Sequence, residues 1–246
     1  MNAYLSVAYA LAAYTLFLAS FLYTVGFLGD FAVPKTIDSG GPETPAAVAF
    51  AIDFALLGIF AVQHSVMARA GFKRWWTRIV PHAVERSTFV LFASAALALL
   101  LWQWRPLPAV VWDVRGGALG TALQAVFWLG WVVLFVSTYL INHFELFGLR
   151  QVYAHVTDQR IPDPTFRTPL FYRYVRHPIY LGFLLSFWAA PLMTLGHLLF
   201  AVVTTGYIFV GIWFEERDLV AQFGDRYRHY RRQVGMLLPW RRRGAA

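Results

Sequence analysis

Arg176-His177-Pro178-Ile179-Tyr180-Leu181-Gly182 opens a run of mostly apolar residues that ends at Glu215-Glu216-Arg217-Asp218-Leu219. From about 178 to 214, the run is too long for one ordinary membrane span. Pro191 falls inside it, and Thr194-Leu195-Gly196-His197 follows. Proline removes a backbone donor and clashes with the preceding turn, so a helix breaks or bends there. The expected structure is a tight hairpin with arms near 179–192 and 195–214, the first arm only just long enough to cross. Both ends then emerge on one side of the bilayer, and Arg176 and His177 lie at the depth of Glu215 and Glu216.

Four more apolar segments precede the hairpin, near residues 3–28, 45–68, 86–104 and 118–143. Each is long enough to cross about 30 Å of hydrocarbon as a helix. The first lacks a basic leader and a cleavage site, so it reads as a retained span. The chain is 59% hydrophobic and only 14% charged. The class is therefore an all-α polytopic membrane protein with five to six transmembrane helices, including a C-terminal helical hairpin. We read residues 1–246 as one integral membrane domain: a four-span bundle over 1–143, then a loop, the hairpin and an amphipathic tail over 144–246.

Charge placement selects the hairpin. The linkers at about 69–86 and 144–177 hold five Lys or Arg each, and the tail holds eight, among them Arg241, Arg242 and Arg243. Only Lys35, Arg105 and Arg115 are left for the other face, so eighteen of the 21 cations share one side. That bias places both termini, and the Arg176 and Glu216 ends of the hairpin, in the cytoplasm. The net charge of +8 is thus an orientation signal, and no folded basic face suits nucleic acid. The absence of cysteine removes disulfides, catalytic thiols and thiolate zinc sites, and no metal is expected.

Cationic, aromatic and anionic groups meeting at the lip of a greasy cavity suit a small zwitterionic ligand with an aromatic base and a cationic centre. The paired Arg176–Gly182 and Glu215–Leu219 motifs resemble the signature of the isoprenylcysteine carboxyl methyltransferase and phospholipid methyltransferase superfamily. The resemblance covers about the last hundred residues. Asn142-His143-Phe144-Glu145-Leu146-Phe147-Gly148-Leu149-Arg150-Gln151-Val152 extends it over most of the chain, towards the methanethiol S-methyltransferase family. The resemblance implies an integral membrane enzyme that uses S-adenosylmethionine as co-substrate. Its substrate would be a small thiol, methanethiol, converted to dimethyl sulfide. It implies a cofactor site formed by Arg176, His177, Pro178, Tyr180, Gly182, Glu215 and Glu216. In that site an Arg would grip the methionyl carboxylate, a Glu would hold the ammonium or ribose hydroxyls, and Tyr174 or Tyr180 would face the adenine or the sulfonium. No Gly-rich turn after a strand is present, so the site must be built from helix ends and loops.

His143, Glu145 and Arg150 are the candidate catalytic residues. His143 or a neighbouring carboxylate would take the proton of a thiol, since the thiolate is the nucleophile, and Arg150 would stabilise the anion. His143 and Arg150 share a face if the helix runs on, although Gly148 is a candidate stop. The linker at about 148–175, with Pro162, Pro164 and Pro169, reads as a structureless cover or an ordinary surface connection. Leu219, Phe223, Tyr227, Tyr230 and Val234 follow a helical repeat, read as an interfacial helix on anionic lipid or as pocket lining. Asp53 reads as a hydrogen-bonded structural acid inside the second span, and His64 as a candidate neighbour of His143. Alternative acceptors are a prenylcysteine carboxylate, a phospholipid amine or another thiol. A second class is a haem protein using His64 and His143.

Overall fold

Helices account for most of the computed structural model, which describes residues 2–163 and 165–239. Pro164 of the linker and Arg241, Arg242 and Arg243 of the tail lie outside the described residues. The chain runs α1 (Ala3–Gly29), α2 (Ala46–Ala68), α3 (Ala70–Trp76), α4 (His82–Gln103), β1 (Val110–Asp113), α5 (Ala118–Ile141), α6 (His143–Leu146) and α7 (Leu149–Val156). A single 3-10 turn (Leu170–Arg173), α8 (Pro178–Trp188), β2 (Leu192–Thr194), α9 (Leu195–Phe223) and α10 (Asp225–Gln233) complete it. Among the described residues five helices, α1, α2, α4, α5 and α9, are long and apolar enough to cross a membrane, so this is an integral, multi-pass membrane protein. Two compact units divide the chain.

The first unit comprises residues 1–113, 143–162 and 192–200. Along α1 up to Gly26 the buried positions are small or hydroxylic (Ser6, Ala10, Ala13, Ser20, Thr24), while Leu11 and Leu22 face outward; only at its C-terminal end do Phe27 and Leu28 turn inward. That inverts the soluble pattern. Lipid is as apolar as leucine, so large residues gain nothing by turning inward, and small ones let α4 approach closely. At one end of the bundle Trp104 is fully buried and donates through Nε1 to the Ile37 carbonyl, 3.1 Å away. Asp53 accepts the Arg105 backbone N–H at 2.8 Å, the structural role expected of it. β1 pairs antiparallel with β2, so the helical reading of the chain gains one small two-stranded sheet.

The second unit comprises residues 114–142, 163–191 and 201–246 and includes α5. Its main contact is α5 against α8. Gly130 and Gly182 let the two backbones touch: a Cβ built on Gly182 would lie 2.6 Å from the Gly130 carbonyl oxygen and 2.7 Å from the Leu134 nitrogen. Ser186, one turn on, donates to the Phe127 carbonyl at 3.1 Å. Ala190, the next small residue at that four-residue spacing, falls past the end of α8. At eleven residues α8 is only about 16 Å long, too short to cross the hydrocarbon by itself.

The hairpin breaks where Pro191 lies, but its second arm is longer than the apolar run. α9 continues to Phe223, so Glu215 and Glu216 lie inside a helix and not at its exit. The reason is local. Glu215 to Asp218 is charged, yet Glu215 to Gln222 is rich in good helix formers, so the helix outlasts the apolar stretch. Gly224, at φ +58°, ends it.

Candidate functional site

The charged cluster of the second unit is assembled from three pieces of chain. Pro178 occupies the first turn of α8, where its missing donor costs nothing, and it holds His177 out of the helix at φ −126°. Main-chain bonds tie this approach to the tail: the Arg176 N–H donates to the Gly235 carbonyl at 2.9 Å and the His177 N–H to the Met236 carbonyl at 3.2 Å. α9 supplies the acids. Arg176 Nε donates to Glu216 Oε1 at 2.7 Å, and His177 Nε2 lies 3.2 Å from the same oxygen. Arg231 Nη1 is 3.6 Å from the other Glu216 oxygen, and His177 Nδ1 is 3.7 Å from Glu215.

Arg176 is heavily committed. Its Nη1 donates to the carbonyls of Arg231 and Val234, at 3.0 and 2.6 Å, in addition to the Nε bond. The side chain thus pins the tail to the acids as well as contributing charge. Glu215 differs from its neighbour: its side chain is 43% exposed against 13% for Glu216. Tyr180 places its ring 5.7 Å from that of His177. Tyr174 is exposed, and Gly182 faces the backbone of α5.

The tail tyrosines are not resting on lipid. Gly224 splits the expected helix, and α10 turns Tyr227 and Tyr230 inward against Phe166, Leu219, Val220 and Phe223. Tyr230 donates its hydroxyl to the main-chain carbonyl of Tyr172. The hydroxyls of Tyr172 and Tyr227 are buried without a hydrogen-bond partner. Each such group costs about 1–3 kcal/mol unless something satisfies it. Burial and the nearby glutamates push both phenols well above the ordinary tyrosine range, so they stay protonated donors. No spacing rule in the sequence pointed to Tyr172 or to the main chain of 235–236.

His143, Glu145 and Arg150 belong to the first unit. α5 stops at Ile141, and Asn142 and Gly148 break the path, so His143 and Arg150 do not share one helix face. Gly148 sits at φ +89°, and a Cβ there would meet Ser87 Oγ at 2.6 Å. Arg86 Nε donates to the Leu146 carbonyl at 2.7 Å, holding the same turn from α4. Arg150 Nη1 instead pairs with Glu145 Oε2 at 2.6 Å, a half-exposed contact worth at most about 1 kcal/mol. The linker expected to be structureless carries α7, whose Val152 packs on Ala10 and Val84. His64 lies against Phe60 and Phe89.

His143 is buried, its Nε2 hydrogen-bonded to the Tyr14 hydroxyl at 2.9 Å and its ring 4.7 Å from that of Phe147. Burial holds its imidazole below the ordinary value of 6.5. The folded state therefore prefers neutral His143. Its contribution to stability is complete above pH 6.5 and is lost as the pH falls through the folded value. We expect the unfolding midpoint in detergent to drop on acidification below pH 6.5, and His143→Gln to flatten that slope. An unchanged slope in the variant would assign the acid sensitivity elsewhere.

Five long apolar helices and a buried Arg–His–Glu cluster define a multi-pass membrane protein with a built polar site at the end of α8. Comparison with known proteins gives the family. The chain is 58% identical over 240 residues to methanethiol S-methyltransferase of Mycobacterium tuberculosis, covering 98% of both chains. It is 56% identical to methanethiol S-methyltransferase 1 of Bradyrhizobium diazoefficiens, covering 97% of this chain and 84% of that one. It is 50% identical to the methanethiol S-methyltransferase of Crocosphaera subtropica, covering 97% and 95%. The chain belongs to the methanethiol S-methyltransferase family. No family model and no solved structure matches it.

Proposed function

We propose that this protein methylates methanethiol to dimethyl sulfide with S-adenosylmethionine as methyl donor. The observation that carries the reading is full-length identity of 58% to a methanethiol S-methyltransferase. The donor set of the charged cluster fits the co-substrate. Glu215, half-exposed, suits an ammonium or ribose hydroxyls, His177 and Tyr180 offer aromatic faces, and buried phenols offer unspent donors. Bound there, the co-substrate supplies an electrophilic methyl on a sulfonium. Pro178 and Gly182 act on this reading by shaping α8, and Tyr174 by edging the site. Arg176 and Glu216 keep approach, helix and tail together.

The thiol loses its proton to neutral His143, with Glu145 the other candidate, and Arg150 supports the anion. The thiolate forms a carbon–sulfur bond as the sulfonium carbon–sulfur bond breaks, and S-adenosylhomocysteine leaves. The protein's task is to orient the reactants and exclude water. A small apolar thiol enters through lipid, so no polar channel is needed. The cation bias supports a site facing the cytoplasm from the inner membrane.

Purified protein incubated with methyl-labelled S-adenosylmethionine and methanethiol should release labelled dimethyl sulfide. Parallel incubations should offer a longer thiol, a prenylcysteine and a phospholipid amine. Label in one of these and none in dimethyl sulfide would replace methanethiol as the substrate. Label in no product would overturn the enzymatic reading.

A further inference from the structure

We propose that the hydroxyls of Tyr172 and Tyr227 bind the carboxylate at the amino-acid end of the methyl donor. This rests on the reading of the cluster as the methyl-donor site, and it replaces the arginine expected to grip that carboxylate, Arg176 being the arginine of the cofactor motif. Arg176 has Nε on Glu216 and Nη1 on two tail carbonyls. Three of its five N–H donors are thus already engaged in holding the fold.

The two phenols are in the opposite condition. Tyr172 is 9% exposed and Tyr227 is 2% exposed, so bulk water does not reach either hydroxyl, and neither has a partner. Packing alone does not force this. Tyr230, packed in one apolar cluster with Tyr227, finds the Tyr172 carbonyl. The Tyr172 carbonyl holds the Tyr230 hydroxyl, the Tyr227 ring lies 5.9 Å from the Tyr230 ring, and Arg176 reaches the Arg231 carbonyl next along α10, so both phenols border the charged cluster. Because both phenols stay protonated, they can donate to an anion at any physiological pH. The cluster thus offers a half-exposed acid with acceptor capacity, Glu215, beside two neutral donors with none of their capacity used. An α-amino acid end carries the complement, an ammonium and a carboxylate. Neutral donors also suit a carboxylate beside two glutamates, since they add no charge that Glu215 or Glu216 would capture.

The test is calorimetry on the full-length protein in detergent with two ligands, S-adenosylhomocysteine and methylthioadenosine. They share the nucleoside and thioether, and only the first has the amino-acid end. Tyr172→Phe and Tyr227→Phe should each weaken S-adenosylhomocysteine about tenfold, in line with one lost bond to a charged group. Methylthioadenosine affinity should not change. The ligand-free variants should unfold at or above the wild-type midpoint, because an unsatisfied buried hydroxyl has been removed. Unchanged S-adenosylhomocysteine binding would overturn the proposal, as would an equal loss for both ligands or a loss confined to one variant. Wild-type protein that binds neither ligand would instead overturn the methyl-donor reading itself.

Discussion

Glu216→Ala should abolish measurable binding of S-adenosylhomocysteine and lower the stability of the protein by about 3–5 kcal/mol. The size follows from what the carboxylate holds. Its Oε1 takes Arg176 Nε at 2.7 Å and His177 Nε2 at 3.2 Å, and its Oε2 lies 3.6 Å from Arg231. The Arg176 and Glu216 side chains are only 11% and 13% exposed. Removing the acid strands a buried guanidinium, and that desolvation, not the attraction of the pair, sets the cost. Two consequences separate this from a simple loss of charge. Glu216→Gln keeps an oxygen for Arg176 Nε and should lose less stability than alanine. Releasing Arg176 also loosens the tail, because the same side chain holds the Arg231 and Val234 carbonyls. Limited proteolysis should therefore cut α10 faster in Glu216→Ala than in wild type. An alanine variant with a wild-type unfolding midpoint would refute the pinning role of the pair.

That pairing could be read in the sequence because a proline inside an apolar run dictates a return of the chain, and return puts 176 beside 216. The long spans were legible for a similar reason: lipid demands unbroken apolar stretches, and their lengths follow from bilayer thickness. What the pattern hid is equally physical. Glu215 to Asp218 is charged, so hydropathy ended the arm at 214, whereas helix propensity carried it to Phe223. α7 is only eight residues long, with Leu149 and Val152 as its inward apolar residues, too short a run to stand out beside the long spans. Pairing of Val110–Asp113 with Leu192–Thr194 spans some eighty residues of sequence, and nothing local announces it. Tyr172 carried no signal at all. Its place depends on the tail folding back over residues 172–177, a tertiary event. In the segment from 142 to 152 the residue types stood out, but the turn at Gly148, set by its contact with Ser87, decided which of them meet.

Gly182→Val should prevent α5 and α8 from packing, and with them the second unit from reaching a stable native state. The missing side chain is what the contact is made of. A Cβ at 182 would lie 2.6 Å from the Gly130 oxygen, 2.7 Å from the Leu134 nitrogen and 2.8 Å from the Leu134 Cβ. Two of these three neighbours are backbone atoms of a helix, which cannot rotate aside as a flexible side chain can. The axes must part, and parting them weakens the Ser186 bond to the Phe127 carbonyl one turn away. Lipid offers no hydrophobic force to hold separated helices together, so close packing and that bond are the main terms lost. Alanine should cost about 1–3 kcal/mol and valine more, read as a lowered unfolding midpoint and a lower yield of monodisperse protein. Gly206 provides the control. It lies inside α9 with nothing within 4 Å of a built Cβ, so Gly206→Ala should be neutral or stabilising by about 0.5–1 kcal/mol through helix propensity. If Gly182→Ala matches Gly206→Ala in midpoint and yield, the close approach of α5 and α8 is wrong. If Gly182→Ala loses stability but binds S-adenosylhomocysteine normally once folded, Gly182 serves the site only by setting the position of α8.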